Sequence, residues 1–174
     1  MKNRTAVLIA TWFYSGLIRP IGLQSMAGTY GSFFSIPFCL LALFFSHSSI
    51  LYFFVILILI YLIGLWSIPI TEKELGTRID WRGQAKTKDQ NQIVIDEVLG
   101  MLVSCLPLII FKVDYNWKVI PLIFVLFRFF DIIKIPPTRF FDRMKNAHGV
   151  LLDDFIAGVY AAICLSIFLV LSNP

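Results

Sequence analysis

The chain has 174 residues, of which 58% are hydrophobic and only 15% charged, and its mean hydropathy is +0.80. Soluble domains carry about a quarter charged residues, so this composition excludes an ordinary soluble enzyme and indicates one membrane-embedded domain over residues 1–174. The net charge of +4 suits anionic headgroups or phosphate esters, while basic residues scattered beside acids argue against nucleic acid as a partner.

Lys2 and Arg4 precede an apolar stretch from Ala6 to Ile18. It is too short to span comfortably and no clean cleavage site follows, so residues 1–19 read as a retained interfacial helix ahead of a core bundle over 20–174. From Pro20 to Thr71 the chain has no Asp, Glu, Lys or Arg. That length allows two passes, one from about Ser32 to Phe45 and one from Ile50 to Ile68, joined by the polar turn Ser46–Ser49.

Residues 71–92 form the one long polar stretch and read as a surface loop or short amphipathic helix. A third pass follows from Ile93 to Phe111, with Asp96 and Glu97 near its start. A fourth, Val119 to Ile133, carries Arg128 and Asp131 at its far end, and Pro136-Pro137 stops it. The last apolar run, Val150 to Leu171, starts with Asp153 and Asp154. Cys39, Cys105 and Cys164 lie far apart in apolar runs and read as buried hydrophobes. The predicted fold is therefore an all-α integral membrane bundle of about five or six helices, with the polar motifs gathered on one membrane face.

Threading these passes through a bilayer puts twelve of the fifteen Lys and Arg residues on the side of Gly28, residues 71–92 and residues 134–149. Positive-inside bias makes that side cytoplasmic. The candidate acids converge there too. Carboxylates near membrane helix ends are costly unless partnered, which makes them functional candidates. Asp96 and Asp154 each stand four residues before a glycine, Gly100 and Gly158, and Ala157, Ala161 and Ala162 extend the small-residue face. Such faces let helices approach closely. Several carboxylates brought together could not all stay ionised without a cation between them.

Asp131 lies at a helix C-terminus, where the macrodipole opposes it, with Arg128 and Lys134 three residues to either side as partners. An all-oxygen ligand set suits Mg²⁺. Zinc is disfavoured, because His47 falls on the opposite side and His148 stands alone. Plainer readings are open as well: helix-start acids act as caps, Arg139, Asp142 and Arg143 can form a solvated loop, and His148-Gly149 can be a simple turn. A small transporter or ion-pathway subunit would also carry clustered acids.

Several blocks together resemble one family. They are GTYGS (Gly28–Ser32) followed by SIPF, then IDEVLGM, FRFFDIIKIPP, RFFDR, HG and DDFIAGV. In order and spacing they are similar to the phosphatidylglycerophosphatase A family over roughly residues 28–162. The chain departs from the usual pattern at Ala27 and Ile135, where the family often has proline. It lacks the DxDxT, PSGH and DG-x2-AR blocks of other phosphate-handling families.

The resemblance implies an all-helical bundle with one central helix. It also implies Mg²⁺-dependent removal of the terminal phosphate from phosphatidylglycerophosphate in the bilayer of a bacterial-type inner membrane, on the cytoplasmic side. The family's acidic positions correspond to Asp96, Glu97, Asp131, Asp142, Asp153 and Asp154. On this reading Asp96, Glu97, Asp131, Asp142 and Asp154 are metal candidates, and Asp131, Asp153, Asp154, Arg128 and His148 catalytic candidates. Gly28, Thr29, Gly31, Ser32, Lys134, Arg139 and Arg143 are expected to bind phosphate, with the AGTYGS segment as a loop offering backbone N–H groups.

Overall fold

The computed structural model describes residues 3–18, 26–46, 49–79, 84–88, 90–113 and 118–172. Among these, eight α-helical segments carry nearly all the regular structure, and five of them have ten residues or more. The one sheet is a short antiparallel ribbon, β1 (Arg78–Ile79) against β2 (Ala85–Lys86), within the polar stretch.

The N-terminal segment is not one continuous helix. Helix α1 covers Arg4–Ala10, the backbone turns through three residues with positive φ (Trp12, Phe13 and Tyr14), and a 3-10 turn follows at Ser15–Leu17. Trp12 Nε1 donates to Phe34 O at 3.1 Å, fixing the turn against the next helix. Ala6, Val7 and Ala10 are buried as α1 packs on the third helix. Val94 N donates to Ala10 O at 2.9 Å, tying the segment to the start of α4.

Among the described residues, three helices are long and apolar enough to cross a membrane by length and composition: α2 (Ala27–Ser46), α3 (Ile50–Leu75) and α8 (Ala147–Ser172). Ser49 caps α3, its hydroxyl accepting from Leu51 N at 3.2 Å. Asn146 does the same for α8, its Oδ1 accepting from Gly149 N at 2.8 Å.

The expected pass from Ile93 to Phe111 is broken instead. Helix α4 (Ile95–Ser104) ends at Cys105, and the short α5 (Leu106–Ile110) follows with Pro107 in its first turn. Proline there can neither donate to nor clear the carbonyl of Val103, which forces the break. Helix α6 (Val119–Ile133) has 15 residues, roughly 22 Å of helix, below the length of a comfortable span. Lys134 closes it in the left-handed conformation (φ 50), and α7 (Thr138–Asp142) turns back toward α8.

Helix α4 is the central element. Apart from Asp96 its residues are all buried, and α2, α3, α6 and α8 pack around it. Its closest partner is α8, and the two glycines set the separation. A Cβ on Gly158 would collide with the carbonyl of Gly100, and one on Gly100 would stand 2.7 Å from the carbonyl of Asp154 and inside the Phe127 ring. The small face read from Ala157, Gly158 and Ala161 is this contact. Gly100→Val is therefore expected to lower unfolding stability in detergent by about 3 kcal/mol. Ile58→Val, on an exposed face of α3, should change it by less than about 0.5 kcal/mol. Chemical denaturation of the two variants beside the parent checks both.

Candidate active site

The α4–α8 contact sets the chemistry because both helices bring acids to it. Asp96 and Glu97 lie in the first turn of α4, and Asp153 and Asp154 lie two turns into α8, 7% and 4% exposed. With the helices in glycine contact, one carboxylate oxygen each from Asp96, Glu97 and Asp154 fall within 4.8 Å of one another. Asp96 Oδ1 and Glu97 Oε2 are buried without a hydrogen-bond partner. Buried anionic oxygens in that state are strongly destabilising unless a proton or a cation joins them. The donor set is all oxygen, as a hard divalent cation requires.

The end of α6 supplies the cations. Arg128 Nη1 stands 2.6 Å from Asp131 Oδ2, 4.0 Å from Glu97 Oε1 and 3.5 Å from Ser32 Oγ. Its Nε is buried and unpartnered. At the C-terminal end of the helix, Lys134 Nζ bonds Asp153 Oδ2 at 2.9 Å and also pairs with Asp142 Oδ1. Burial alone would lower the Lys134 pKa. The charge of Asp153 and the hydrogen bonds to Asp142 and Asp153 outweigh that and raise it above the ordinary lysine value. Asp153 is further oriented by accepting from Asp154 N at 3.0 Å.

The start of α2 completes the wall. The AGTYGS segment forms the first turns of α2, which corrects its reading as a loop. Gly28 lies against Glu97. A Cβ there would fall on the carboxylate and 3.0 Å from Arg128 Nη1, so only glycine leaves room for the pair. Ser32 is fully buried and donates to Gly28 O at 2.8 Å while facing Arg128. Gly31 packs on Val94 instead of facing the acids, and Thr29 is half-buried on the same turns.

Other candidates lie further out. His148 is exposed, and its Nδ1 stands 2.8 Å from Tyr61 Oη on α3; five residues before Asp153, it lies on a different face of α8. Arg139 Nε donates to Lys134 O at 2.9 Å with its side chain exposed, and Arg143 is exposed beyond it.

Two tyrosines enter that the sequence reading did not single out. Tyr61 sits in an uncharged run and carries no local signal. Tyr160 donates to Pro136 O at 2.7 Å, a second tie between α8 and the loop that bears Lys134. Its position two helical turns after Asp153, on the same face, was readable from spacing.

Comparison with known proteins bears out the family resemblance. The family model described as Phosphatidylglycerophosphatase A matches residues 8–169. A Haemophilus influenzae protein named Phosphatidylglycerophosphatase A is 31% identical over 159 residues, covering 90% of this chain and 83% of that one. The Escherichia coli K12 protein of the same name is 35% identical over 158 residues, covering 89% and 78%. A Bacteroides thetaiotaomicron protein, provisionally named a phosphatidylinositol-3-phosphatase, is 35% identical over 80 residues, 46% of this chain and 49% of that one. No solved structure matches. By the family model and the two long matches, the chain belongs to the phosphatidylglycerophosphatase A family.

Proposed function

We propose that the protein hydrolyses the terminal phosphomonoester of phosphatidylglycerophosphate, giving phosphatidylglycerol and phosphate, with Mg²⁺ held by Asp96, Glu97 and Asp154. The chain would be a multi-pass protein of a bacterial-type inner membrane with the site facing the cytoplasm. Its relatives' names support the substrate. The observation that carries the metal is the trio of carboxylates within 4.8 Å, two of whose oxygens are buried and unpartnered.

Charge balance supports the same reading. Among the described residues, Arg128 pairs with Glu97 and Asp131 and Lys134 with Asp142 and Asp153, while Asp96 and Asp154 bring the carboxylates at the site to six. A phosphate monoester brings further negative charge and would be repelled. Bound Mg²⁺ supplies the missing positive charge and Lewis acidity toward a phosphoryl oxygen.

The chain's own groups do the rest. Asp131 holds the Arg128 guanidinium through Nη1 and so fixes its positive charge at the site, where it would attract phosphate. Asp142 and Asp153 hold the Lys134 ammonium at the outer edge of the same cluster, where it offers a second positive charge. Asp131 and Asp142 thus position cations, although both were also expected as metal ligands. The first turns of α2 bring the N-terminal end of that helix, with its positive partial charge, beside Arg128. His148, at the rim, would protonate the leaving glycerol oxygen only through a headgroup that reaches past Asp153.

Purified protein in detergent is expected to release phosphate from phosphatidylglycerophosphate with Mg²⁺ and not with EDTA. Asp154→Asn should lower the rate by about a hundredfold or more while leaving the unfolding transition in place, since removing a group that stabilises charge in the transition state costs on that order. Equal release in EDTA, or full activity of Asp154→Asn, contradicts the reading.

A second expectation concerns Arg128. Arg128→Met should lower kcat/KM by roughly a hundredfold, and Arg128→Lys should recover only part, because an ammonium restores charge but not the forked donor. Steady-state kinetics of the three proteins decides it.

A further inference from the structure

Helix α6 presents two adjacent rows of side chains. One holds Arg128 and Asp131, directed into the acidic cluster. The other is Val125, Phe129 and Ile132, spaced at i, i+4 and i+7 and 60%, 52% and 70% exposed. Successive residues step about 100° around a helix, so the apolar row lies roughly a quarter turn from the charged one. The exposed apolar residues continue with Ile133 at the end of the helix and Ile135 and Phe140 past it, and exposed Arg139 and Arg143 follow closely in sequence.

Among the described long helices, α6 is the one that carries both an exposed apolar row and a cation of the site; α2 brings exposed Phe33 and Phe34 next to Ser32 but carries no charged residue. The exposed apolar residues of α3 sit on a helix that contributes no acid to the cluster. The exposed apolar residues of α8 begin at Ile163, nine residues or roughly 13 Å of helix past Asp154. On α6 the apolar row runs alongside Arg128 and ends two residues before Lys134.

We propose that the outward row of α6, Val125, Phe129 and Ile132, is the docking track for the acyl chains of the lipid substrate. The lipid then enters sideways from the leaflet, and its phosphate turns about the end of α6 toward Arg128 and Lys134. The occupant is a diacyl phospholipid bearing a phosphomonoester. Two features argue for it: the exposed apolar residues continue beyond the helix in Ile135 and Phe140, and the exposed Arg139, bonded to Lys134 O at that end, and Arg143 complement an anionic headgroup. The proposal rests on the lipid phosphatase reading for the reaction, but not for the binding.

The test compares the parent with Phe129→Ser/Ile132→Ser, using long-chain phosphatidylglycerophosphate and its water-soluble short-chain analogue. The ratio of kcat/KM for long over short chains should fall by roughly tenfold or more, through KM. The control Ile58→Ser/Leu62→Ser, on the exposed face of α3, should leave that ratio unchanged. An unchanged ratio in the α6 variant, or an equal fall in the control, overturns the track.

Equilibrium binding of long- and short-chain non-hydrolysable phosphonates separates the two readings. If the parent turns over neither substrate, the hydrolase reading fails, yet a chain-length-dependent loss of phosphonate binding in the α6 variant still supports the track. Equal phosphonate binding by parent and variant overturns it independently of turnover.

Discussion

Burying like charges together is the constraint on which the rest of this structure depends. Asp96, Glu97 and Asp154 are drawn within 4.8 Å by a helix crossing that two glycines, Gly100 and Gly158, allow. Such a trio has few physical remedies: protonation, a nearby cation, or a bound ion. Arg128 reaches Glu97 from one side but is committed at 2.6 Å to Asp131. Lys134 is committed to Asp142 and Asp153. Among the described residues these two cations leave Asp96 and Asp154 without an ion pair, and that is where the proposed Mg²⁺ would act.

The same constraint explains the order of the chain. A carboxylate on α8 meets one on α4 only if nothing larger than hydrogen lies between the backbones, so the acid and the glycine recur four residues apart in both helices. Gly28 repeats the logic on α2, giving up a side chain so that Glu97 and Arg128 can meet. Tyr160 and Lys134 tie the α6–α7 loop onto α8 by two bonds on one helical face. Together these ties hold α6 at the mouth of the site, with its apolar row facing outward.

Much of this was legible in the sequence because charge is so scarce in it. Acids and bases interrupting apolar runs marked Asp96, Glu97, Arg128, Asp131, Lys134, Asp142, Asp153 and Asp154 without any coordinates, and all are found in one cluster. The small-residue face of α8 was readable from its spacing. What was not legible depends on backbone detail. Apolar composition cannot tell one 19-residue span from α4 broken at Cys105, because Pro107 acts through a local clash and not through hydropathy. Glycine and serine in AGTYGS suggested a loop, yet packing on Val94 and Glu97 makes them the first turns of α2. The partner of His148, Tyr61, lies 87 positions away in a featureless apolar run, where no local pattern could reveal it.

The central claim is that the carboxylates of α4 and α8 hold a divalent cation in common. The most direct measurement is Mn²⁺ binding to metal-stripped protein, followed by electron paramagnetic resonance, for the parent, Asp96→Asn and Asp154→Asn. The account predicts saturable binding that Mg²⁺ displaces and that either substitution weakens by at least about tenfold, with both variants still folded. Saturable binding that survives both substitutions, or none in the folded parent, would contradict it.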